Sequence, residues 1–131
     1  MTKPLPTSED THYQAGDVVV VPFPYADRLA EKRRPALILS NKTLNDSGVL
    51  WIVMITSKLH EPREGDTLLG DHERAGLKAA SVIRSSKIAS IETRRILRKI
   101  GSIAKADLAS VADEICRFVD VGGAKSRRSK K

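Results

Sequence analysis

Residues 49–56 read VLWIVMIT, and this stretch decides the fold. It is apolar on both faces for most of its length and rich in β-branched side chains, the pattern of a buried central strand. Residues 41–48, NKTLNDSG, precede it and predict a turn or short loop, and the polar segment 57–65, with Pro62, follows it as another loop. Outward from this strand the same reading repeats. Residues 18–21, VVVV, follow the turn signal Ala15-Gly16-Asp17 and predict a strand ended by Pro22 and Pro24, neither of which has an N–H for a ladder. Residues 25–34 read as a long polar loop, after which Pro35 opens a second strand over 36–40, ALILS. Shorter runs at 67–69, 80–84 and 95–100 predict further strands.

The end of the chain has a different period. Leu108, Val111, Ala112, Ile115, Phe118 and Val119 recur at helical spacing within 104–119. This predicts an amphipathic helix packed on the sheet through a Leu108/Ile115 stripe, with Cys116 beside the stripe as a small, partly buried residue. Several short strands and then one helix predict a mostly β fold, a small antiparallel barrel with a C-terminal α-helix.

A chain of 131 residues suits one domain. Hydrophobic residues are 40% of it and aromatics only 4%, so the core must come mainly from Val, Ile, Leu and Ala. No stretch approaches the roughly 20 apolar residues that span a bilayer, and the polar N-terminal residues lack the apolar region of a secretory signal. The single cysteine excludes an intrachain disulfide and fits a reducing compartment. A soluble cytoplasmic protein with no membrane partner is expected.

The 23 Lys and Arg outnumber 16 Asp and Glu, for a net charge of +7, which points to a polyanionic partner. The excess is unevenly placed. Residues 121–131, VGGAKSRRSKK, hold five bases and no acid, while residues 1–14 carry one net negative charge. Setting both segments aside leaves +3 for residues 15–120. The expected organisation is a flexible N-terminal extension over 1–14, a domain over 15–120 and a basic disordered tail over 121–131.

Metal chemistry finds no motif. His12, His60 and His72 are not paired at i, i+4, none lies near Cys116, and HExxH, CxxC and calcium-loop patterns are absent. There is no phosphate-binding glycine loop and no GxSxG elbow. No metal and no cofactor are expected. What remains are basic and hydroxyl residues at strand ends: Lys32-Arg33-Arg34 before Pro35, Thr56-Ser57-Lys58 closing the strongest strand, and Arg84-Ser85-Ser86-Lys87. Arginine meets phosphate oxygens in a two-point fork, and strand ends are rigid mountings. The plainer alternative is that such arginines meet only water and that Thr56 is simply a good strand former.

Five blocks occur in a specific order: 16–24, GDVVVVPFP; 34–40, RPALILS; 52–57, IVMITS; Gly76-Leu77 followed by 81–84, SVIR; and 95–101, RILRKIG, ahead of the helix. Together they resemble the MazF/PemK-like toxin family across residues 15–120. The resemblance implies an SH3-like β-barrel with a C-terminal helix, usually a homodimer. It implies the toxin of a type II toxin–antitoxin system, a metal-independent endoribonuclease that cuts single-stranded RNA (mRNA) and is inhibited by a cognate antitoxin protein. In such enzymes the 2′-OH attacks the neighbouring phosphorus, leaving 2′,3′-cyclic phosphate and 5′-OH ends. The resemblance places catalysis on Arg34 and Thr56, with Arg84 matching a basic residue that serves some PemK-like members as acid or phosphate clamp. Lys32, Arg33, Ser57, Lys58, Ser86 and Lys87 flank these positions as substrate-binding candidates.

The sequence departs from the family at Ser86, where many relatives carry an aspartate proposed as general base in one branch. A serine does not accept a proton near neutrality as a carboxylate does. The proton acceptor stays open: either Arg34 and Thr56 suffice, or another acid such as Glu31 or Asp27 enters, or activity is weak. The loop over 26–32 also lacks a Glu-Gln-x-Gly pattern. Arg84, Lys87, Arg94, Arg95, Arg98 and Lys99 face only Glu92 locally and form a candidate surface for RNA or for an acidic antitoxin segment. A second reading is a non-catalytic SH3-like module that binds nucleic acid or protein. A DNA-binding regulator would need a helix–turn–helix, which the sequence lacks.

Overall fold

The computed structural model describes residues 12–23 and 32–122. The expectations for residues 1–11, for the loop acids Asp27 and Glu31, and for the tail beyond Gly122 lie outside the described residues. In chain order the elements are β1 (Asp17–Phe23), β2 (Lys32–Ile38), α1 (Lys42–Asp46), β3 (Val49–Ser57), β4 (Asp66–Leu68), β5 (Ser81–Glu92), β6 (Arg98–Ser102) and α2 (Lys105–Phe118). The strands form one six-stranded sheet in the order β4-β5-β3-β2-β1-β6, and every pairing is antiparallel.

The VLWIVMIT strand lies inside the sheet, between β2 and β5. Its doubly apolar pattern has a direct cause, because each face meets its own core. On one side Val18, Leu37, Val53, Ile55 and Ile83 pack with Val111, Leu108 and Ile115 of α2. On the other, Val19, Val21, Ala36, Ile38, Ile52 and Met54 pack with Leu50 and Ile91, and with Tyr13 and Ile96 at the margin. Of the two described helices only α2 is long enough to cover a sheet face, and the second face is buried all the same. Register shifts between Val18 and Val19 and between Val53 and Met54 supply bends of the kind that coil a sheet. The mostly β fold with a C-terminal helix agrees with the sequence.

Several boundaries differ from expectation. Pro22 lies within β1, opposite Arg33. It is tolerated because the β6 ladder stops at Val20↔Arg98, so one side of β1 needs no donor there. β2 begins at Lys32 rather than at Pro35, which places Lys32, Arg33 and Arg34 on a strand instead of in a loop. Residues 42–46 form a short helix capped by Asn41, whose side chain accepts from the Leu44 N–H at 3.2 Å. β5 runs for 12 residues, well past the expected 80–84. Cys116 is exposed, not partly buried, and Phe118 and Val119 at the end of the expected stripe are 41% and 63% exposed. Tyr13, within the expected N-terminal extension, packs against the second core, and burial and then the nearby Asp17 raise its pKa.

Loop 71–77 is held tightly to β6. Gly76 has φ +82, and a Cβ there would stand 2.1 Å from the Ile100 carbonyl oxygen. Only glycine permits both the left-handed backbone and that approach.

Candidate active site

Register builds the site. β2 and β3 pair with Ala36 opposite Met54, and Arg34 and Thr56 each stand two residues from that pair, so both lie on its face of the sheet. β5 joins with Met54 opposite Arg84. One step earlier Val53 faces Ile88, so Ser85, Ser86 and Lys87 are extra residues bulged out of the ladder. The bulge brings Arg84 to the end of the face that carries Arg34 and Thr56. Arg34, Met54, Thr56 and Arg84, with His60, Glu61 and Arg63 from the following loop, line one cleft of about 290 Å³. The three residues assigned to catalysis from sequence therefore meet.

Each is placed differently. Arg34 is half-buried on β2, and Thr56 is buried at the end of β3. Arg84 is 5% exposed, with Nε donating to Asp66 Oδ1 at 3.0 Å and Nη2 donating to Asp66 Oδ2 at 2.9 Å. Nη2 also donates to the Glu61 carbonyl oxygen at 2.9 Å. Burial raises the Asp66 pKa, but hydrogen bonds from Arg84 and the Arg63 N–H, with the charges of both arginines, outweigh it and hold the carboxyl below its ordinary value. The sequence reading counted Arg84 in a basic cluster with only Glu92 near it in sequence, whereas the structure buries it in an ion pair with Asp66. Lys99 of the same cluster meets Asp17 at 3.2 Å and Arg94 meets Glu92 at 2.9 Å.

The remaining candidates spread out. Lys32 and Arg33 are exposed at the start of β2, and Lys58 is exposed in the turn after β3. The Ser57 hydroxyl accepts from the Leu59 N–H at 3.1 Å and so serves the turn. Ser86 and Lys87 lie in the bulge, and Ser86 borders a separate groove of about 560 Å³ lined by Arg63, Glu64, Ser85, Ile88 and Phe118. A further hollow of about 380 Å³ lies around Tyr13, Asn45 and Leu50 and contains no residue singled out for chemistry. Among the described residues no cluster of three or more His, Cys, Asp or Glu side chains is placed to hold a metal ion. No described helix is long and apolar enough to cross a membrane.

The residue that sequence reasoning missed is His60. The His60 N–H donates to the Ser57 carbonyl at 3.1 Å, folding the chain back after β3. That turn brings His60 Nδ1 to 2.7 Å from Thr56 Oγ1. The available signal was a histidine four residues past the strand-ending Thr56, with Ser57 poised to make the intervening turn. The loop is fastened further along. The Arg63 N–H donates to Asp66 Oδ2 at 2.9 Å, and Arg117 of α2 reaches Glu64 at 2.8 Å.

Comparison with known proteins places the chain in a family and finds its fold in solved structures. Residues 14–119 match the family described as PemK-like, MazF-like toxin of type II toxin-antitoxin system. Endoribonuclease MazF9 of Mycobacterium tuberculosis is 30% identical over 98 residues, covering 70% of this chain and 82% of that protein. The crystal structure of MazF from Deinococcus radiodurans superposes with a TM-score of 0.68 at 25% identity, covering 82% of this chain and 96% of that one. A mycobacterial endoribonuclease in complex with its cognate antitoxin shares the fold, with a TM-score of 0.64 at 15% identity over 81% of this chain and 93% of that one. The chain belongs to the PemK-like, MazF-like toxin family of type II toxin–antitoxin systems.

Proposed function

We propose that this protein is a metal-independent endoribonuclease that cleaves single-stranded RNA, acts in the cytoplasm as a homodimer, and is restrained by a cognate antitoxin protein. The observation that carries the reading is the convergence of Arg34 and Thr56 in one cleft, at the end of adjacent strands. An RNA strand supplies its own nucleophile. The ribose 2′-oxygen attacks the adjacent phosphorus, the bond to the 5′-oxygen breaks, and negative charge builds on the phosphoryl oxygens.

Arg34 is mounted to meet that charge with a preorganised guanidinium in a partly desolvated cleft. Thr56 brings a hydroxyl to the reacting ribose–phosphate, fixed by its place on a buried strand. Arg84 takes a supporting part. Its Nε and Nη2 make three hydrogen bonds to Asp66 and Glu61, so it fastens the loop that closes the cleft and adds positive potential. Arg63 contributes charge from the same loop. Arg34→Ala and Thr56→Ala each lower kcat/KM on a single-stranded RNA by about 10²-fold or more in buffer containing EDTA. Equal cleavage by these variants and the wild type would refute the assignment.

A further inference from the structure

The reaction has one requirement that Arg34 and Thr56 do not meet. Attack by the 2′-oxygen goes faster when its proton has somewhere to go, and neither a guanidinium nor an isolated aliphatic hydroxyl is a proton acceptor near neutrality. Asp66 is held in its fork with Arg84, and Ser86 lies outside the cleft in the bulge of β5. Among the described residues the remaining candidates that line this cleft are the Glu61 carboxylate and the His60 imidazole, and of the two it is His60 whose Nδ1 stands 2.7 Å from the Thr56 hydroxyl.

We propose that His60 is the terminal proton acceptor of the transesterification and acts through Thr56. This rests on the endoribonuclease reading above. In the ground state Thr56 Oγ1–H donates to His60 Nδ1, which leaves the threonine oxygen lone pairs turned to the incoming 2′-OH. As a 2′-oxygen lone pair forms the new bond to phosphorus, the 2′-proton passes to Thr56 Oγ1 and the threonine's own proton passes to His60 Nδ1. The phosphorus–O5′ bond breaks with its electron pair going to O5′, which takes a proton from water. The imidazolium then releases its proton to solvent, and Thr56 is unchanged. Atoms and charge balance, and water is the only co-reactant.

The opposite polarity, with Nδ1–H donating to Thr56, would make His60 a mere support for a threonine that donates to a phosphoryl oxygen. The two differ in pH dependence, because only the first needs a neutral imidazole. Among the described residues, the charged groups that line the dyad's cleft are Arg34 from β2, Glu61 and Arg63 from the loop, and Arg84 from β5 with its partner Asp66 from β4.

The test compares wild type, His60→Gln, His60→Ala and Arg34→Ala on one single-stranded oligoribonucleotide in EDTA across pH 5 to 9. Affinity is measured separately on the same oligonucleotide with a 2′-deoxy group at the cleavage site. The expected result is a rise of wild-type kcat/KM with pH that Arg34→Ala retains and His60→Gln loses. His60→Gln falls by about 10²-fold at neutral pH, with binding of the 2′-deoxy strand changed less than about threefold, a small shift on the affinity scale. Added imidazole restores part of the rate of His60→Ala. The proposal is overturned if His60→Gln cleaves at the wild-type rate. It is also overturned if that variant is slow yet keeps the wild-type pH limb and His60→Ala gains nothing from imidazole, which would make His60 a structural support. A wild type that cleaves nothing removes the endoribonuclease reading itself, and this proposal with it.

Discussion

The guanidinium of Arg84 grips the Asp66 carboxylate at two points, 3.0 and 2.9 Å, with only 6% and 11% of the two side chains exposed. This pair joins β4 to β5 beneath the cleft and ties down the Glu61 carbonyl as well. Removing one partner strands the other. Asp66→Ala is expected to cost about 3–5 kcal/mol in urea unfolding, most of it from the buried Arg84 charge that loses its carboxylate. The double variant Asp66→Leu with Arg84→Met should recover much of that loss, because a well-packed apolar pair needs no charge compensation. Full loss in the double variant would show that the pair contributes more than its mutual neutralisation.

The same pair sets an acid limit. The Asp66 pKa lies below its ordinary value in the folded chain. A depressed carboxylate contributes stability that is present above the unfolded-state pKa, about 3.9, and is lost as pH falls through the folded value. Thermal unfolding followed from pH 7 downward should show Tm steady to about pH 5 and falling below about pH 4. Asp66→Asn should be less stable at pH 7 and should show a smaller decline on acidification.

Much of this was legible in the sequence, and the reasons are local. The doubly apolar 49–56 run marked an internal strand, and the Leu108/Val111/Ile115 spacing marked the helix that covers one face. Arg34 and Thr56 were singled out through the family resemblance carried by the 34–40 and 52–57 blocks, and the structure brings both to one cleft. What stayed hidden depended on three-dimensional partners. Polar residues 85–90, SSKIAS, do not look like a strand, yet β5 continues past the 85–87 bulge because β3 offers residues 88–92 a ladder. The burial of Arg84 requires Asp66, which is 18 residues away and brought opposite it by the β4–β5 pairing. The Thr56–His60 contact depends on a turn whose geometry the residue types permit but do not dictate.

Gly76 offers a test of the packing between loop 71–77 and β6. Its φ of +82 and the 2.1 Å approach of a virtual Cβ to the Ile100 oxygen leave no room for a side chain. Gly76→Ala should destabilise the fold by about 2 kcal/mol or more, from backbone strain and displacement of β6 together. Chemical denaturation measures this directly, and an unchanged midpoint would contradict the packing.

The C-terminal charges are expected to act on affinity rather than chemistry. Deleting residues 121–131 removes five positive charges and none of the residues that line the cleft. The salt dependence of binding to single-stranded RNA should become shallower by up to about 3.5 in log–log slope. The cleavage rate at saturating RNA should change by less than about twofold, since a non-specific phosphate contact adds no stabilisation peculiar to the transition state. Abolished cleavage would place the tail in the active machinery.

The central claim is that the Arg34–Thr56 cleft drives attack by the RNA's own 2′-oxygen. The most direct measurement is mass spectrometry of the fragments from one single-stranded oligoribonucleotide incubated in EDTA with the purified, antitoxin-free protein. The account predicts 2′,3′-cyclic phosphate and 5′-OH ends, with no cleavage where the ribose at the scissile position is 2′-deoxy. Intact RNA, or 5′-phosphate and 3′-OH ends, would contradict it.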